Sequence, residues 1–164
     1  MVSKVMASHE DWMRLALMEA QAAFDEGEVP VGAVLVRGDE LVAAAHNRRE
    51  AIQSPLSHAE LEVIAEAARR LHTWRLEDCT LYVTLEPCLM CAGAALQSRL
   101  KRLVFGCRDP KAGAVRSLFT VAEDGRLNHR IEVLEGVLGE ESSEFLSSFF
   151  RRLREQKDDF GEES

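Results

Sequence analysis

Thr80-Leu81-Tyr82-Val83-Thr84-Leu85-Glu86-Pro87-Cys88-Leu89-Met90-Cys91, continuing through Ser98 to Leu103-Val104-Phe105-Gly106, decides the architecture. The first six residues form an apolar, partly β-branched run of strand length. Pro87 then sets the start of a helix to about Ser98, and Leu103 to Gly106 reads as another strand. The unit is β-α-β. Upstream, Ser8 with Asp11 three residues on opens a helix whose face carries Met13, Leu17, Ala20 and Phe24, and Gly27 closes it. Val31–Val36 and Leu41–Ala45 are strands joined by the hairpin signature Arg37-Gly38-Asp39-Glu40. A helix capped by Ser57 starts at His58, with Leu61, Ile64, Ala68 and Leu71 at helical spacing.

Downstream, a loop from Arg108 to Asn128 precedes a strand at Ile131–Leu134. A last helix, Ser142 to Arg154, carries Phe145, Phe149 and Phe150. The order α-β-β-α-β-α-β-β-α implies a three-layer α/β/α domain, a five-stranded mixed sheet with helices on both faces. No repeat or Pro/Gly/Ser-rich linker divides the chain. The expectation is one domain over residues 1–164, frayed at about 1–7 and 156–164.

With 164 residues, 46% apolar and 29% charged, the chain has the composition of an ordinary globular protein and can build its core without disulfides or a structural metal. Met1 to Glu10 holds no apolar core of an export signal, and no stretch approaches the roughly 18 apolar residues of a membrane span. A cytoplasmic protein is expected, its four cysteines reduced. The formal net charge of -8 argues against a nucleic-acid partner. Its distribution is uneven, however. Between Gln97 and Arg130 stand eight basic and three acidic residues, a net +5, while the remainder carries -13. That fits either a basic patch or a chance fluctuation over solvated faces.

The chemistry lies in four residues. Cys88 and Cys91, three apart at a helix start, lean to one side, and a helix N-terminus lowers thiol pKa values. With His58 they supply three zinc ligands and leave the fourth position to water, the pattern of a catalytic rather than a structural site. Glu60 is the neighbouring carboxylate, placed to reach the water and not the metal. Residues two apart do not face each other on a regular helix, so His58 and Glu60 must converge off the helix end. Each half has a plainer reading: Glu60 completes a capping box with Ser57, and Cys88-x-x-Cys91 is a redox dithiol or a chance pair. The joint pattern of His-x-Glu and Pro-Cys-x-x-Cys is far more specific and is the signature of zinc nucleobase deaminases.

The likeness extends beyond the signature. Glu28-Val29-Pro30-Val31-Gly32-Ala33-Val34-Leu35-Val36, His46-Asn47-Arg48, Ser57-His58-Ala59-Glu60, Thr80 through Ala94, and Asn128-His129-Arg130 together resemble the bacterial tRNA-specific adenosine deaminase family, over roughly residues 8–156. The resemblance implies a cytidine deaminase-like fold, one Zn2+ per chain, a homodimer, and hydrolytic conversion of adenosine to inosine at the wobble position of a tRNA anticodon loop, in an arginine tRNA. Water would attack C6 of adenine with Glu60 as proton shuttle. The resemblance also places Asn47 against the extruded base, Asp109 beside the nucleotide backbone or sugar, and Phe150 with Arg151 near the RNA. Asn47 and Asp109-Pro110 read equally as turn residues, and the phenylalanines as core. His46, Arg49 and Cys107 depart from the family's pattern around the expected pocket rim. A zinc deaminase of a free base or nucleotide is the nearest alternative. A zinc-stabilised RNA-binding module would need a fourth ligand, and a thiol oxidoreductase would leave His58 and Glu60 without a task.

Overall fold

The protein is described by a computed structural model, in which residues 6–161 are placed. The helices are α1 (His9–Asp25), α2 (Arg49–Ile52), α3 (Ala59–Leu71), α4 (Leu89–Gln97) and α5 (Gly139–Gly161), and the strands are β1 (Gly32–Arg37), β2 (Glu40–His46), β3 (Cys79–Leu85), β4 (Arg102–Cys107) and β5 (Glu132–Glu135). One five-stranded sheet runs in the order β2-β1-β3-β4-β5. β1 is antiparallel to β2 and β3, whereas β3, β4 and β5 are parallel. The expected mixed sheet is therefore present.

Alternation along the strands separates two cores. Leu35, Leu81, Val83, Leu103 and Phe105 meet Val63 and Ala67 of α3 and Ala92 and Leu96 of α4 on one face. Val34, Val36, Tyr82 and Val104 meet Met13 and Ala16 of α1 on the other. Period-2 side chains on buried strands require this two-sided cover, which gives the three layers.

The α1 cap forms as expected: Ser8 Oγ accepts from the Asp11 N–H at 3.1 Å, and the Asp11 carboxylate accepts from the Ser8 N–H at 2.9 Å. Its buried stripe is Met13, Ala16, Ala20 and Ala23. Its three alanines let α1 lie close on β1, and a Cβ at Gly32 would run into the backbone of Ala16 and Ala20. Gly32→Ala is accordingly expected to cost about 2–3 kcal/mol or more, because backbone on both sides must part. A urea midpoint equal to that of the unchanged protein would contradict the close approach.

His46 ends β2 between two carboxylates, with Nδ1 2.6 Å from Glu19 and Nε2 3.0 Å from Glu26. Burial pushes the imidazole pKa down, but the two carboxylates overcome this and hold it above the ordinary 6.5. A proton bound more tightly by the folded than by the unfolded chain stabilises the fold fully below about pH 6.5, and that contribution is lost as pH rises through the folded value. His46→Gln should flatten the stability curve from about pH 6 to 8. Denaturant midpoints across that range test it, and an unchanged slope would remove His46 as the cause.

Several boundaries differ from expectation. α3 is capped by His58, in extended conformation, and not by Ser57. Its buried face is Ala59, Glu60, Val63 and Ala67, one residue ahead of the expected Leu61-Ala68 stripe. A 3-10 turn at Val121–Glu123 interrupts the segment read as a loop, and the four-residue α2 was not among the expected elements. α5 begins three residues early and runs on to Gly161, so residues 156–161 are helical; positions 1–5 and 162–164 lie outside the described residues. β2 bulges at Val42 between the pairs Leu35↔Ala43 and Val36↔Leu41, and Arg70 donates to the Val42 carbonyl at 2.6 Å. Among the described residues no helix is long and apolar enough to cross a membrane.

Candidate active site

Two helix N-termini converge on one point beside the end of β3. His58 is the N-cap of α3 and Cys88 the N-cap of α4, and neither helix has a side-chain cap bond. Their side chains turn toward each other instead. His58 Nδ1 lies 3.7 Å from Cys88 Sγ and 3.4 Å from Cys91 Sγ, and the three ligand atoms all lie within 4.8 Å of one another. Tetrahedral zinc, with Zn–S about 2.3 Å and Zn–N about 2.1 Å, would separate such ligand atoms by about 3.6–3.8 Å. The donor set therefore fits zinc in type and spacing, with three protein ligands.

Glu60 stands outside the ligand group but lines the same cavity as His58 and Cys88. The capping-box reading of Glu60 fails, because Ser57 Oγ donates to Glu62 at 2.8 Å. With His58 as cap, Glu60 falls in the first turn of α3, facing inward at 4% exposure. Burial raises its carboxyl pKa, against the opposing pull of the Cys91 thiol and His58. That suits a group that must both take and give a proton near neutrality. Cys88 is pushed down to about 3, first by the hydrogen bond from Cys91 and further by His58, while the bond to Cys88 and burial raise Cys91. His58 is raised, chiefly by its bond to Cys88.

The cavity, about 200 Å³, is walled by Val29, Val31, Asn47, Arg49, Ala59, Leu85, Glu86, Asp109 and Ala112 besides the site residues. Drug-sized ligands occupy about 300–1,000 Å³, so this space suits one ring system. Asn47 is buried, with Nδ2 donating to the Val29 carbonyl at 3.3 Å and Oδ1 accepting from the Arg49 N–H at 3.2 Å. One amide hydrogen and one oxygen lone pair remain for a ligand. Asp109 borders the cavity while its Oδ1 accepts the Lys111 and Ala112 N–H groups at 3.0 and 3.2 Å. Both residues sit in turns and also line the cavity.

The structure does not bring Phe150 and Arg151 to this cavity. They sit on α5, where the buried neighbour Phe149 packs edge-on against Phe24 of α1, 6.1 Å between ring centroids. Phe150 is 44% exposed and Arg151 is exposed. Of the departures, only Arg49 reaches the cavity wall. Cys107 points to the Thr84 carbonyl at 3.7 Å, and burial raises its pKa to about 11. His129 Nε2 donates to the Leu100 carbonyl at 2.7 Å, which gives it a structural partner.

Half of the basic residues in the segment are ion-paired. Arg102 pairs with Glu132 at 3.0 Å, Arg108 with Glu135 at 2.8 Å, Arg116 with Glu123 at 3.2 Å and Arg126 with Asp124 at 2.7 Å. Glu132 and Glu135 fall just past the counted window. Arg99, Lys101, Lys111 and Arg130 make no ion pair among the described residues, and Arg99 donates to the Leu96 carbonyl instead.

Sequence reasoning missed two buried glutamates. Glu28 accepts the N–H groups of Glu50 at 3.1 Å and Ala51 at 2.6 Å, which fixes α2 beside Asn47 and Arg49. Glu86 holds the segment that carries Asp109. An acidic residue bordering an apolar strand was the available signal for each.

With this geometry in hand, comparison with known proteins is specific. The sequence model of the MafB19-like deaminase family matches residues 7–154. The chain is 52% identical over 152 residues to the tRNA-specific adenosine deaminase of Bacillus subtilis strain 168, covering 93% of this chain and 94% of that protein. It is 48% identical over 145 residues to the tRNA-specific adenosine deaminase of Aquifex aeolicus strain VF5, covering 88% and 95%. A solved structure from work on A-to-I editing by tRNA:A34 deaminases superposes with a TM-score of 0.80 at 42% identity, over 82% of this chain and 98% of that one. A guanine deaminase from Nitrosomonas europaea, TM-score 0.76 at 24% identity over 89% and 86%, shares the fold. The chain belongs to the bacterial tRNA-specific adenosine deaminase family.

Proposed function

We propose that the protein hydrolytically deaminates adenosine to inosine at the wobble position of a tRNA anticodon loop, that of an arginine tRNA, with one zinc per chain held by His58, Cys88 and Cys91. The observation that carries the reading is the meeting of that three-ligand cluster with the buried Glu60 in one ring-sized cavity. Bound there, zinc would lower the pKa of a water from 15.7 to about 7 and so make a nucleophile available at neutral pH.

The chain's own residues do the rest. A base in a stack is out of reach, so the adenine must be extruded into the cavity from the single-stranded loop. Val29, Val31 and Leu85 give its faces apolar contact, and the spare amide hydrogen and lone pair of Asn47 read its edge. Glu60 takes a proton from the attacking water and hands it to N1 as C6 becomes tetrahedral; it then takes the remaining proton of the new C6 hydroxyl and passes it to the amine, which leaves as ammonia as the C6 carbonyl of inosine forms. Such proton transfer contributes about 10²- to 10⁴-fold. Asp109 at the cavity mouth meets the sugar or backbone of the same nucleotide, and unpaired Lys111 adds a phosphate contact. Phe150 and Arg151, remote from the base, are left for flanking RNA.

The protein acts in the cytoplasm as a homodimer in this reading. Exposed Leu89 and Leu127 border one groove, with exposed Leu118 and Phe119 elsewhere on the chain, and these offer apolar area for a second copy. The test incubates zinc-loaded protein with an arginine-tRNA anticodon stem-loop, free adenosine, guanine and cytidine. Inosine in the stem-loop alone supports the reading, whereas uridine from cytidine or xanthine from guanine overturns it.

A further inference from the structure

Glu86 is a buried carboxylate at the cavity to which the deamination chemistry gives no task. It is 2% exposed and stands between β3 and α4, two residues before Cys88. Oε2 accepts the backbone N–H groups of Val115 at 3.1 Å, Arg116 at 2.8 Å and Ser117 at 2.9 Å. Oε1 accepts the Asp109 N–H at 3.1 Å and the Ser117 hydroxyl. Every donor belongs to residues 109–117, a segment without helix or strand that lies 23 to 31 positions downstream and contributes Asp109 and Ala112 to the cavity wall. A buried carboxylate needs such donors, and buried backbone N–H groups need such an acceptor. Gly113 completes the fit, since a Cβ there would run into the carboxylate.

We propose that Glu86 is the positioning residue that sets the substrate-facing 109–117 wall in register with the metal-holding turn at Cys88. The inference rests on the deamination reading for what the wall does, but not for what holds it. Substitution by glutamine separates the two oxygens. Three backbone N–H groups demand that the amide oxygen take the Oε2 position, so the amide NH2 replaces Oε1. The Ser117 hydroxyl can rotate to accept from that NH2 group, whereas the Asp109 N–H cannot. Glu86→Gln therefore frees Asp109 selectively, and Gly113→Ala disturbs the same network from the other side.

The experiment compares zinc-loaded wild type, Glu86→Gln, Gly113→Ala and the double variant on an anticodon stem-loop, with zinc content and amide hydrogen exchange measured alongside. Both single variants should raise KM about tenfold while kcat stays within about threefold, as expected when a buried charged hydrogen bond that orients a wall is lost. Exchange should quicken at residues 109–117 and stay unchanged in β3, zinc should remain at one per chain, and the double variant should be no worse than the worse single one. Unchanged KM and unchanged exchange would overturn the inference. So would loss of zinc in step with RNA affinity, because Glu86 would then support the metal turn alone. A wild type that modifies no RNA would instead defeat the deamination reading, and exchange at 109–117 would still decide whether Glu86 holds the wall.

Discussion

Glu60→Gln leaves the protein folded and zinc-loaded but lowers turnover on an anticodon stem-loop by about 10²- to 10⁴-fold, the span over which a positioned acid-base group acts. The replacement keeps the shape of a side chain that is 4% exposed in the first turn of α3, so the helix and the His58 cap need not move. What disappears is the capacity to carry a proton between water, N1 and the leaving amine. Metal analysis on purified protein and single-turnover kinetics separate the two effects. A zinc-free Glu60→Gln would make Glu60 a ligand and end the assignment. Near-normal turnover would pass the proton work to another group, and among the described residues lining the cavity Asp109 and Glu86 are the only other carboxylates.

Cys88→Ala should lose zinc and activity together, because it removes one of three protein ligands rather than a group outside the cluster. The effect extends to stability. A metal that binds only the folded chain stabilises it by RT ln(1 + [L]/Kd), about 4 kcal/mol at a thousandfold excess over Kd. In a domain of this size that corresponds to a melting midpoint about 10 °C lower after chelation. Calorimetric scans with and without chelator should show such a drop for the wild type and none for Cys88→Ala. Equal chelator sensitivity in both would mean that the metal sits elsewhere. Affinity should also weaken in acid, since the ligands must shed protons to bind.

The β-α-β unit, the hairpin and the Cys88-x-x-Cys91 pair were legible in the sequence because each is written locally, in strand alternation, in turn residues or in a three-residue spacing, and His58 was found through the separate His-x-Glu motif. The phase of α3 was not legible. Ser57 looks like a cap, and only the turn of His58 toward Cys88, thirty residues away, moves the helix start by one position and Glu60 into the cavity. For Glu28 and Glu86 the only local trace is an acidic residue beside an apolar strand; what they hold is not written locally, since their donors lie 22 to 31 residues downstream. The charge count overstates the excess because ion pairs form in space: Arg102 and Arg108 find Glu132 and Glu135 on β5, beyond the window in which the basic residues were counted. Phe150 and Arg151 were placed by resemblance alone, and the packing of Phe149 on Phe24 carries them to the α1 side.

The bulge at Val42 and the reach of Arg70 to its carbonyl change what the sheet can offer a neighbour. An outer strand normally exposes a ladder of donors and acceptors onto which a foreign strand can add. Here one acceptor on the β2 rim is already occupied, the bulge breaks the repeat, and the opposite rim is a four-residue strand with Glu at both ends, each held by an arginine. Neither rim is a template for fibril growth or for a continuous inter-subunit sheet. Strand addition at either rim is thus disfavoured, which guards the folded chain against edge-to-edge aggregation at high concentration.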